Sequence, residues 1–404
     1  MRKAPGDDSG AFCCFTGDSN CYTLFPKHHP DRSTPFVERH HPELSIITPV
    51  LNEEAGIDRL FAMLAEQLDT DFELVIVDGG SSDGTVERAG ELAPKGPFPA
   101  TVIEAGRGRG CQMNAGTRAT GADTLLFLHA DCLLPDAHAL RTALNAIDAA
   151  ISRRGDDRVA GHFLLRFERD DGAPSLPYAF YEAKARLHRP GCTHGDQGLL
   201  LRRRFFDEVG HFDASRPILE DMRIAAAIAA RGEWLLLPAE IVTSARRFEV
   251  EGLRERQTLN AILMNFAHMG WDRFLDELPR LYRNQDRVGR LALGPILSGI
   301  DAMIRALPRH ERSRLWHDTG RYVRANAWQI PFFLDVHRSF RRGEPLESVS
   351  GSLLEMHDRW FDRLTDNPAG RWMTAFLVWI WFRLTLATEM SRAKKQAGNS
   401  PRLP

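Results

Sequence analysis

Four short apolar segments, separated by stretches with helical spacing, constrain the fold of this chain more than any other feature. Between the first two segments, apolar residues recur at Ile57, Leu60, Phe61, Leu64 and Leu68, the spacing of one helix face. Strands that are apolar throughout are typical of a parallel sheet covered on both faces. The sequence therefore predicts an α/β fold with a mostly parallel sheet and helices on both faces. The four segments are LSIITPVL (44–51), FELVIVDGG (72–80), ATVIEAG (100–106) and TLLFLHAD (124–131).

The character of the sequence changes twice along the chain. Residues 1–42 are rich in Pro, His, Ser and Asp, and their cysteines and histidines match no zinc-ligand spacing, which favours a disordered extension. Strand and helix patterns alternate over residues 43–250, whereas residues 251–404 show helical patterns only. We therefore predict an α/β domain at 43–250, followed by an α-helical module at 251–404 whose role the sequence does not disclose.

Charge and cysteine content narrow the class of protein. The formal charge of −2 over 404 residues, without a long basic stripe, disfavours a nucleic-acid partner. Six scattered cysteines and the lack of a secretion signal predict a cytoplasmic protein. The most apolar run, FLVWIWF (376–382), is shorter than the ~20 residues that span a bilayer. It predicts a buried helix, and the alternative left open is a helix lying at the inner face of the membrane as a peripheral contact.

Polar residues follow each of the four predicted strands. In an open parallel sheet, ligands gather outside the carboxyl ends of the strands. Any one of these residues has a simple structural explanation, such as a turn for the Asp that precedes two glycines. Four strands that deliver polar side chains to one edge nevertheless predict a binding site there. The residues are Asn52, Glu53, Asp78, Arg107, Arg109, His129 and Asp131.

Two arginine-bearing stretches suit a phosphate group. In AGRGRGCQMNAG (105–116), glycines and arginines stand near a helix start, although the stretch is neither a Walker loop nor a dinucleotide fingerprint. Arg246 and Arg247 follow a later strand and as a pair suit a diphosphate, although one of them could be a simple surface residue.

Further acids stand in two other motifs. Asp196 lies in GDQG, where flanking glycines allow close approach of backbone and ligand. Glu220 and Asp221 begin a predicted helix, a position that the helix dipole also favours for purely structural reasons.

Taken in order, these motifs resemble the GT-A glycosyltransferases of family 2 over about residues 43–250. The resemblance rests on SIITPVLNEE, VIVDGGSSDGT, FLHADCLLP and LEDMRIAAAIAARG. FLHADCLLP stands where that family carries its Asp-x-Asp motif, with His129 at the first acidic position. GRGRGCQMNAG, FLHAD, GDQG and TSARRF together are similar to a narrower subgroup, labelled arsenosugar-biosynthesis or radical-SAM/selenodomain-associated glycosyltransferases.

The resemblance implies an inverting transfer of sugar from a nucleotide-diphosphate donor to an acceptor hydroxyl, with Mg²⁺ or Mn²⁺ as cofactor. It implies that Asp221 is the general base, that Glu220 orients groups beside it, and that Asp131 holds the metal. For His129, a supporting role behind the metal and a direct contact with metal or donor both stay open. The implied donor contacts are Asn52, Glu53, Asp78, Arg107, Gln112, Arg246 and Arg247, and the implied acceptor-side residues are Asp196 and Gln197.

Two other functions compete with this interpretation. A non-catalytic nucleotide-sugar binding or scaffold protein would explain His129 in place of an acid and the large helical module. A nucleotidyltransferase would share the α/β sheet, but its first strand is more often followed by a Gly-rich basic loop than by the acidic PVLNEEAG found here. The sequence does not name the sugar, the base, the acceptor or the oligomeric state.

Overall fold

Eight strands form one sheet at the centre of the computed structural model, which describes residues 41–215, 219–282 and 289–399. The predicted extension at 1–42 lies outside the described residues, apart from its last two positions. The strand order across the sheet is β3-β2-β1-β4-β7-β6-β8-β5. The strands are β1 (Leu44–Val50), β2 (Phe72–Asp78), β3 (Ala100–Glu104), β4 (Thr124–Phe127), β5 (Cys132–Leu133), β6 (Val159–Glu168), β7 (Leu199–Arg202) and β8 (Glu233–Ser244).

Helices flank the sheet and then continue alone to the end of the described chain. Those between or beside the strands are α1 (Glu54–Ala65), α2 (Thr85–Leu92), α3 (Arg109–Ala119), α4 (Ala139–Arg154), α5 (Leu176–Lys184), α6 (Arg203–Val209) and α7 (Glu220–Arg231). Those that follow are α8 (Arg246–Glu251), α9 (Leu253–Met269), α10 (Asp272–Tyr282), α11 (Leu293–Ala306), α12 (Arg309–Ala325), α13 (Gln329–Arg341), α14 (Ser352–Met356), α15 (Asp362–Thr365) and α16 (Pro368–Asn399).

The sheet is parallel in its first half and mixed in its second. Strands β3, β2, β1 and β4 run parallel, as their continuous apolar sequences predict. Strand β7 then runs antiparallel to both β4 and β6, whereas β6 and β8 are parallel. The predicted α/β fold, with helices on the sheet and a helical C-terminal region, is confirmed.

Both faces of the sheet are covered by apolar side chains, which explains why its strands do not alternate with polar residues. Ile46 packs into one core with α1 and α4, and its neighbour Ile47 packs into the opposite core with α3, α6 and α7. Both isoleucines are fully buried. Burying a side chain of this size contributes about 1.5–3 kcal/mol, so each face anchors its own helix layer.

The helices after β8 have a core of their own. Leu259, Phe266 and Ile296 lie in a buried cluster formed mainly by α9, α10 and α11. A smaller cluster joins Phe180 of α5 to Trp328, beside α13, so that the helical region also packs on the sheet-bearing half. The described residues from His41 onward form one compact unit. The domain boundary near residue 250 stays a prediction.

The run FLVWIWF lies within α16, and the prediction that it is buried is wrong for most of its length. Phe382 is buried, but Phe376, Leu377, Trp379 and Trp381 are 43–59% exposed. One side of the helix packs on the other C-terminal helices, and the other side has no such cover in the described part of the chain. No helix among the described residues is long and apolar enough to cross a membrane.

Two helical glycines provide a test of how tightly α3 packs on the sheet. A Cβ at Gly116 of α3 would lie 2.4 Å from Ile47 Cγ2 and 3.0 Å from Val77 Cγ2, whereas a Cβ at Gly90 of α2 would meet nothing within 4 Å. We expect Gly116→Ala to lower the free energy of unfolding by about 1–3 kcal/mol through overpacking. Gly90→Ala should raise it by up to about 1 kcal/mol, because alanine costs less backbone entropy in a helix. Urea denaturation measures both, and equal effects would contradict the close packing of α3.

Candidate functional site

Antiparallel strand β7 brings the GDQG motif to the carboxyl end of β4. Because Phe127 pairs with Leu199, the residues before β7 lie at the same sheet edge as the residues after β4. His129 Nδ1 therefore lies 3.1 Å from Asp196 Oδ1. Burial raises the pKa of Asp196, but the hydrogen bond to His129 and the positive charge of Arg109 outweigh it and hold that pKa below its usual range. Asp196 is thus an ionised partner for His129.

Asp131 stands at the tip of a tight turn. The backbone N–H of Cys132 donates to the carbonyl of His129 at 3.2 Å, and Cys132 then pairs with Thr243 in the short β5–β8 ladder. His129 and Cys132 are buried, whereas Asp131 between them is exposed. One ligand atom from each of the three residues lies within 4.8 Å of the others. The turn therefore holds the Asp131 carboxylate out at the sheet edge.

The three residues of this turn fit an oxygen-liganded cation better than a thiolate-liganded one. Burial, and then the charges of Asp131 and Asp196, raise the pKa of the Cys132 thiol well above its usual value. The thiol accordingly stays protonated, which disfavours it as a metal ligand. A single exposed carboxylate suits Mg²⁺ or Mn²⁺, because such ions keep several waters and take further oxygens from substrate phosphates.

Glu220 and Asp221 occupy the first turn of α7. Leu219, just before it, has a left-handed backbone with φ of 64°. Asp221 Oδ2 accepts a hydrogen bond from the backbone N–H of Gly195 at 3.0 Å. Burial, and then the charge of Asp221, raise the pKa of Glu220, although Arg109 and His129 act in the opposite direction. Glu220 is therefore electrostatically coupled to His129, in the turn that carries Asp131.

Gly195 separates His129 from Asp221. A Cβ on this glycine would lie 3.1 Å from His129 Cε1 and 3.6 Å from Asp221 Oδ2. A side chain at this point would therefore push the His129 ring by a few tenths of an ångström, whereas its contact with Asp221 would be an ordinary van der Waals one. Beside them is a cavity lined by both apolar and polar residues. Its lining includes Met113, Phe127, Phe212, Ile224, Trp234, Thr193, His194, Glu220 and Asp221.

Glu53 links the loop after β1 to the turn after β4. Burial raises its pKa first, and the negative charge of Asp131 raises it further, while Arg246 and Arg109 lower it. Each of these charges is thus close enough to act on Glu53. The loops after β1, β3, β4 and β8 therefore meet at one edge of the sheet, which is the arrangement that the strand-end pattern predicts.

The predicted arginines divide into those at the site and those away from it. Arg246 acts on Glu53, but Arg247 Nε lies 3.3 Å from Glu251 Oε1 of its own helix. Arg107 is exposed and makes no ion pair within the described ranges. Arg109, the first residue of α3, affects the pKa values of Glu53, Asp196 and Glu220. Arg109 is a site residue that the predicted set of donor contacts omits, although its place at a helix start next to Arg107 was a visible signal.

Asn52 ties the loop after β1 to the loop after β2. Its backbone is left-handed with φ of 56°, a conformation that asparagine tolerates better than most residues. Its N–H donates to Ser81 Oγ at 2.9 Å, and its Oδ1 accepts from the N–H of Ser82 at 2.8 Å. Asp78 lies behind this junction and accepts from the N–H of Gly80 at 2.8 Å. Both residues thus shape the loops at the ends of the first two strands.

Gln112 and Gln197 are buried beneath the site and are engaged by protein groups. Gln112 Nε2 donates to the carbonyls of Val50 at 2.8 Å and Val77 at 2.7 Å, which joins the ends of β1 and β2. Gln197 Nε2 donates to the carbonyl of Ala185 at 3.1 Å. These contacts place both amides in the walls of the site. Their roles toward donor and acceptor stay predictions.

The fold and the site define an α/β protein in which acids and arginines meet at one sheet edge. The chain matches the family model described as Glycosyl transferase family 2 over residues 45–210. It is 31% identical over 183 residues to a PGL/p-HBAD biosynthesis glycosyltransferase of Mycobacterium tuberculosis. The aligned residues cover 45% of this chain and 67% of that protein. The chain belongs to glycosyltransferase family 2.

Other similar proteins are more distant or align over shorter stretches. An undecaprenyl-phosphate 4-deoxy-4-formamido-L-arabinose transferase of Pseudomonas fluorescens is 31% identical over 164 residues, 39% of this chain and 46% of that protein. Among solved structures, the mannosyltransferase PcManGT from Pyrobaculum calidifontis, in complex with GDP-Man and Mn²⁺, is 17% identical and has a TM-score of 0.44. That match covers 85% of this chain and 88% of the other. At this identity and TM-score it says nothing about the roles of residues.

Substitution of Gln112 distinguishes two roles for this side chain: support of the strand ends and contact with a bound nucleotide. Gln112→Leu would remove the amide hydrogen bonds to the carbonyls of Val50 and Val77, although the Val50 carbonyl would still accept from the N–H of Gly79. We expect the free energy of unfolding to fall by about 1–3 kcal/mol, because each lost hydrogen bond contributes about 0.5–1.5 kcal/mol. Urea denaturation measures the loss, and Arg107→Gln, a change on the exposed surface, serves as the control and should stay within about 0.5 kcal/mol of wild type. A Gln112→Leu protein of unchanged stability but weaker nucleotide binding would instead assign Gln112 to the donor.

Proposed function

We propose that this family 2 member transfers a sugar from a nucleotide-diphosphate donor to an acceptor hydroxyl, with inversion at the anomeric carbon. The observation that carries the proposal is the meeting of three kinds of group at one sheet edge. These are the exposed Asp131 carboxylate, the paired carboxylates that begin α7, and the guanidinium groups of Arg109 and Arg246. Sugar transfer from such a donor needs a base for the acceptor hydroxyl and positive charge for the leaving diphosphate, which a cation or arginines can supply.

Asp221 is the proposed general base. The N–H of Gly195 holds its Oδ2, which fixes the orientation of the carboxylate at the edge of the cavity. In the proposed reaction, Oδ1 takes the proton of the acceptor hydroxyl as the oxygen attacks the anomeric carbon from the side opposite the leaving diphosphate. Glu220, buried next to it, orients the base. Asp196 and Gln197 are proposed to lie on the acceptor side.

Asp131 is the residue proposed to hold Mg²⁺ or Mn²⁺. When bound, such a cation stabilises the negative charge that grows on the leaving diphosphate. Arg109 and Arg246 are proposed to share that charge from two neighbouring loops, because both act on the same acid, Glu53. His129 is proposed to support the turn through its bond to Asp196, and not to replace the missing acid.

The remaining donor contacts are proposed in the loops after β1, β2 and β3, in α3 and in α8. Asn52, Glu53 and Asp78 would border the base and ribose, and further contacts would come from Arg107 before α3, Gln112 in α3 and Arg247 in α8. We further propose that the chain belongs to the narrower arsenosugar and radical-SAM-associated subgroup. We also propose a cytoplasmic location, with peripheral membrane contact through the C-terminal helices.

Two substitutions test the assigned roles. We expect Asp221→Asn to lower the transfer rate by about 10²–10⁴-fold, because an amide cannot accept the proton. Asp131→Ala should lower it by about 10²–10³-fold through lost charge stabilisation. Released nucleoside diphosphate, measured over a panel of nucleotide sugars with Mn²⁺, reports both rates. Asp170→Ala and Asp170→Asn, at an exposed carboxylate in a surface turn, are the matched controls.

Two outcomes would contradict these assignments. Wild-type rates in both variants would remove Asp131 and Asp221 from the site. Nucleotide binding by wild type without product from any donor would favour a binding protein over an enzyme.

Removal of the metal gives an independent readout that needs no acceptor. Calorimetry of nucleoside-diphosphate binding should show weaker binding by wild type in EDTA than in Mn²⁺, because a cation held at Asp131 would supply positive charge to the diphosphate. Asp131→Ala should bind weakly in both conditions. An EDTA effect of equal size in the two proteins would show that Asp131 is not the ligand.

A further inference from the structure

The strongest feature outside the site is a row of large apolar side chains facing solvent near the C-terminus. They belong to α16, to α15 and to the helical turn at His357–Phe361 that precedes α15. We call them the aromatic face: Trp360, Phe361, Leu364, Trp372, Met373, Phe376, Leu377, Trp379, Trp381 and Leu384, which are 43–74% exposed. A contiguous apolar surface of this kind marks an interaction site more often than an isolated exposed residue does.

Helix geometry joins the α16 members into one stripe. Met373, Leu377, Trp381 and Leu384 are spaced by four, four and three residues, so they lie on the same side of the helix. From Trp372 to Leu384, at 1.5 Å per residue, the stripe is about 18 Å long. The rings of Phe376 and Trp379 stack beside it, with centroids 6.2 Å apart.

The opposite side of α16 is firmly held, so the aromatic face is not the surface of a loose helix. Ala375 and Phe382 are buried, and Phe382 lies in the core of the C-terminal helices. A Cβ at Gly320 of α12 would lie only 2.3 Å from the carbonyl oxygen of Arg371, which shows how closely the two helices cross. The exposed side is presented on a rigid support.

Composition and charge favour a lipid surface as the occupant. Four of the eight tryptophans of the chain lie in the aromatic face, and tryptophan is the residue most typical of the membrane–water interface. Residues 359–395 carry seven basic and three acidic residues, although the chain as a whole has a net charge of −2. Arg359 lies over the ring of Trp360 at 5.5 Å, and Arg363 is exposed. Positive charge beside exposed indoles complements anionic headgroups.

Two other modes of association fit less well. A membrane-spanning role is not supported, because no helix in the described ranges is long and apolar enough. A symmetric dimer would place the same patch against itself, so the basic residues beside the stripe would face their own copies. An anionic bilayer has no such like-charge cost.

We propose that the aromatic face docks this protein on an anionic phospholipid surface, with α16 lying in the plane of the interface. The apolar side chains enter the headgroup boundary to a depth of about 5–10 Å, as in interfacial helices generally. Arg359 and Arg363 contact the phosphates. This deepens the peripheral contact in the proposed function by naming the side chains and the lipid charge, and it does not depend on sugar transfer.

Vesicle sedimentation of the full chain tests the docking. Wild type should pellet with vesicles of phosphatidylcholine and phosphatidylglycerol, less with phosphatidylcholine alone, and less as salt rises. Leu377→Glu should weaken partitioning by about tenfold or more, since a buried leucine contributes at least the 1.4 kcal/mol that corresponds to a factor of ten. Leu68→Glu is the matched control, because Leu68 is 50% exposed, against 59% for Leu377, and lies outside the aromatic face. It should pellet like wild type.

A charge variant separates electrostatic attraction from apolar insertion. Arg363→Gln should lower partitioning onto the phosphatidylglycerol vesicles by about fivefold, which corresponds to about 1 kcal/mol per basic residue. Binding to pure phosphatidylcholine should not change. Thermal denaturation of each variant confirms folding, and nucleotide-sugar turnover without vesicles should equal that of wild type.

Three outcomes would overturn the proposal. Wild type could stay in the supernatant with anionic vesicles, or Leu377→Glu could pellet as wild type does. Light scattering could also show a wild-type dimer that Leu377→Glu dissolves, with no vesicle binding, and the aromatic face would then be a self-association surface. A wild-type protein without any turnover would contradict the proposed reaction but leave the sedimentation result intact.

Discussion

The antiparallel pairing of β7 with β4 is the constraint on which the site depends. Had β7 run parallel to β4, its preceding loop would begin at the far edge of the sheet, and Asp196 would lie a strand length away from His129. The observed pairing of Phe127 with Leu199 places that loop beside the turn carrying Asp131. The same loop supplies the Gly195 N–H that holds Asp221, so a single strand direction joins α7 to the turn after β4.

The parallel half of the sheet could be predicted because its strands are buried on both faces and read as continuous apolar runs. The direction of β7 could not, since four residues with the sequence LLLR carry no information about orientation. The prediction that the aromatic run at 376–382 is buried is wrong for a related reason. Apolar residues in a helix look the same whether they face a core or solvent, and only the close crossing of α16 with Gly320 decides which side is buried.

The polar residues that follow the first four strands predict a site at this edge of the sheet, but they do not tell which side chains point toward it. Arg107 and Arg109 are two residues apart in one glycine-rich stretch, yet only Arg109 acts on the acids, because it already belongs to the first turn of α3. Gln112, one turn further along, donates to the backbone carbonyls of Val50 and Val77 at the ends of two neighbouring strands. Such assignments depend on helix phase and on hydrogen bonds between distant segments, neither of which a local motif contains.

The negative charges around position 129 explain why a histidine, and not an acid, stands there. Glu53, Asp131, Asp196, Glu220 and Asp221 already bring five carboxylates to this edge of the sheet. A further acid at position 129 would stand in a buried place beside Asp196, where two like charges cannot both ionise without a large cost. A histidine there instead forms a hydrogen bond that lowers the pKa of Asp196 and so helps that carboxylate to keep its charge. The departure from Asp-x-Asp thus compensates for Asp196, and Asp131 is left as the one exposed acid of the motif.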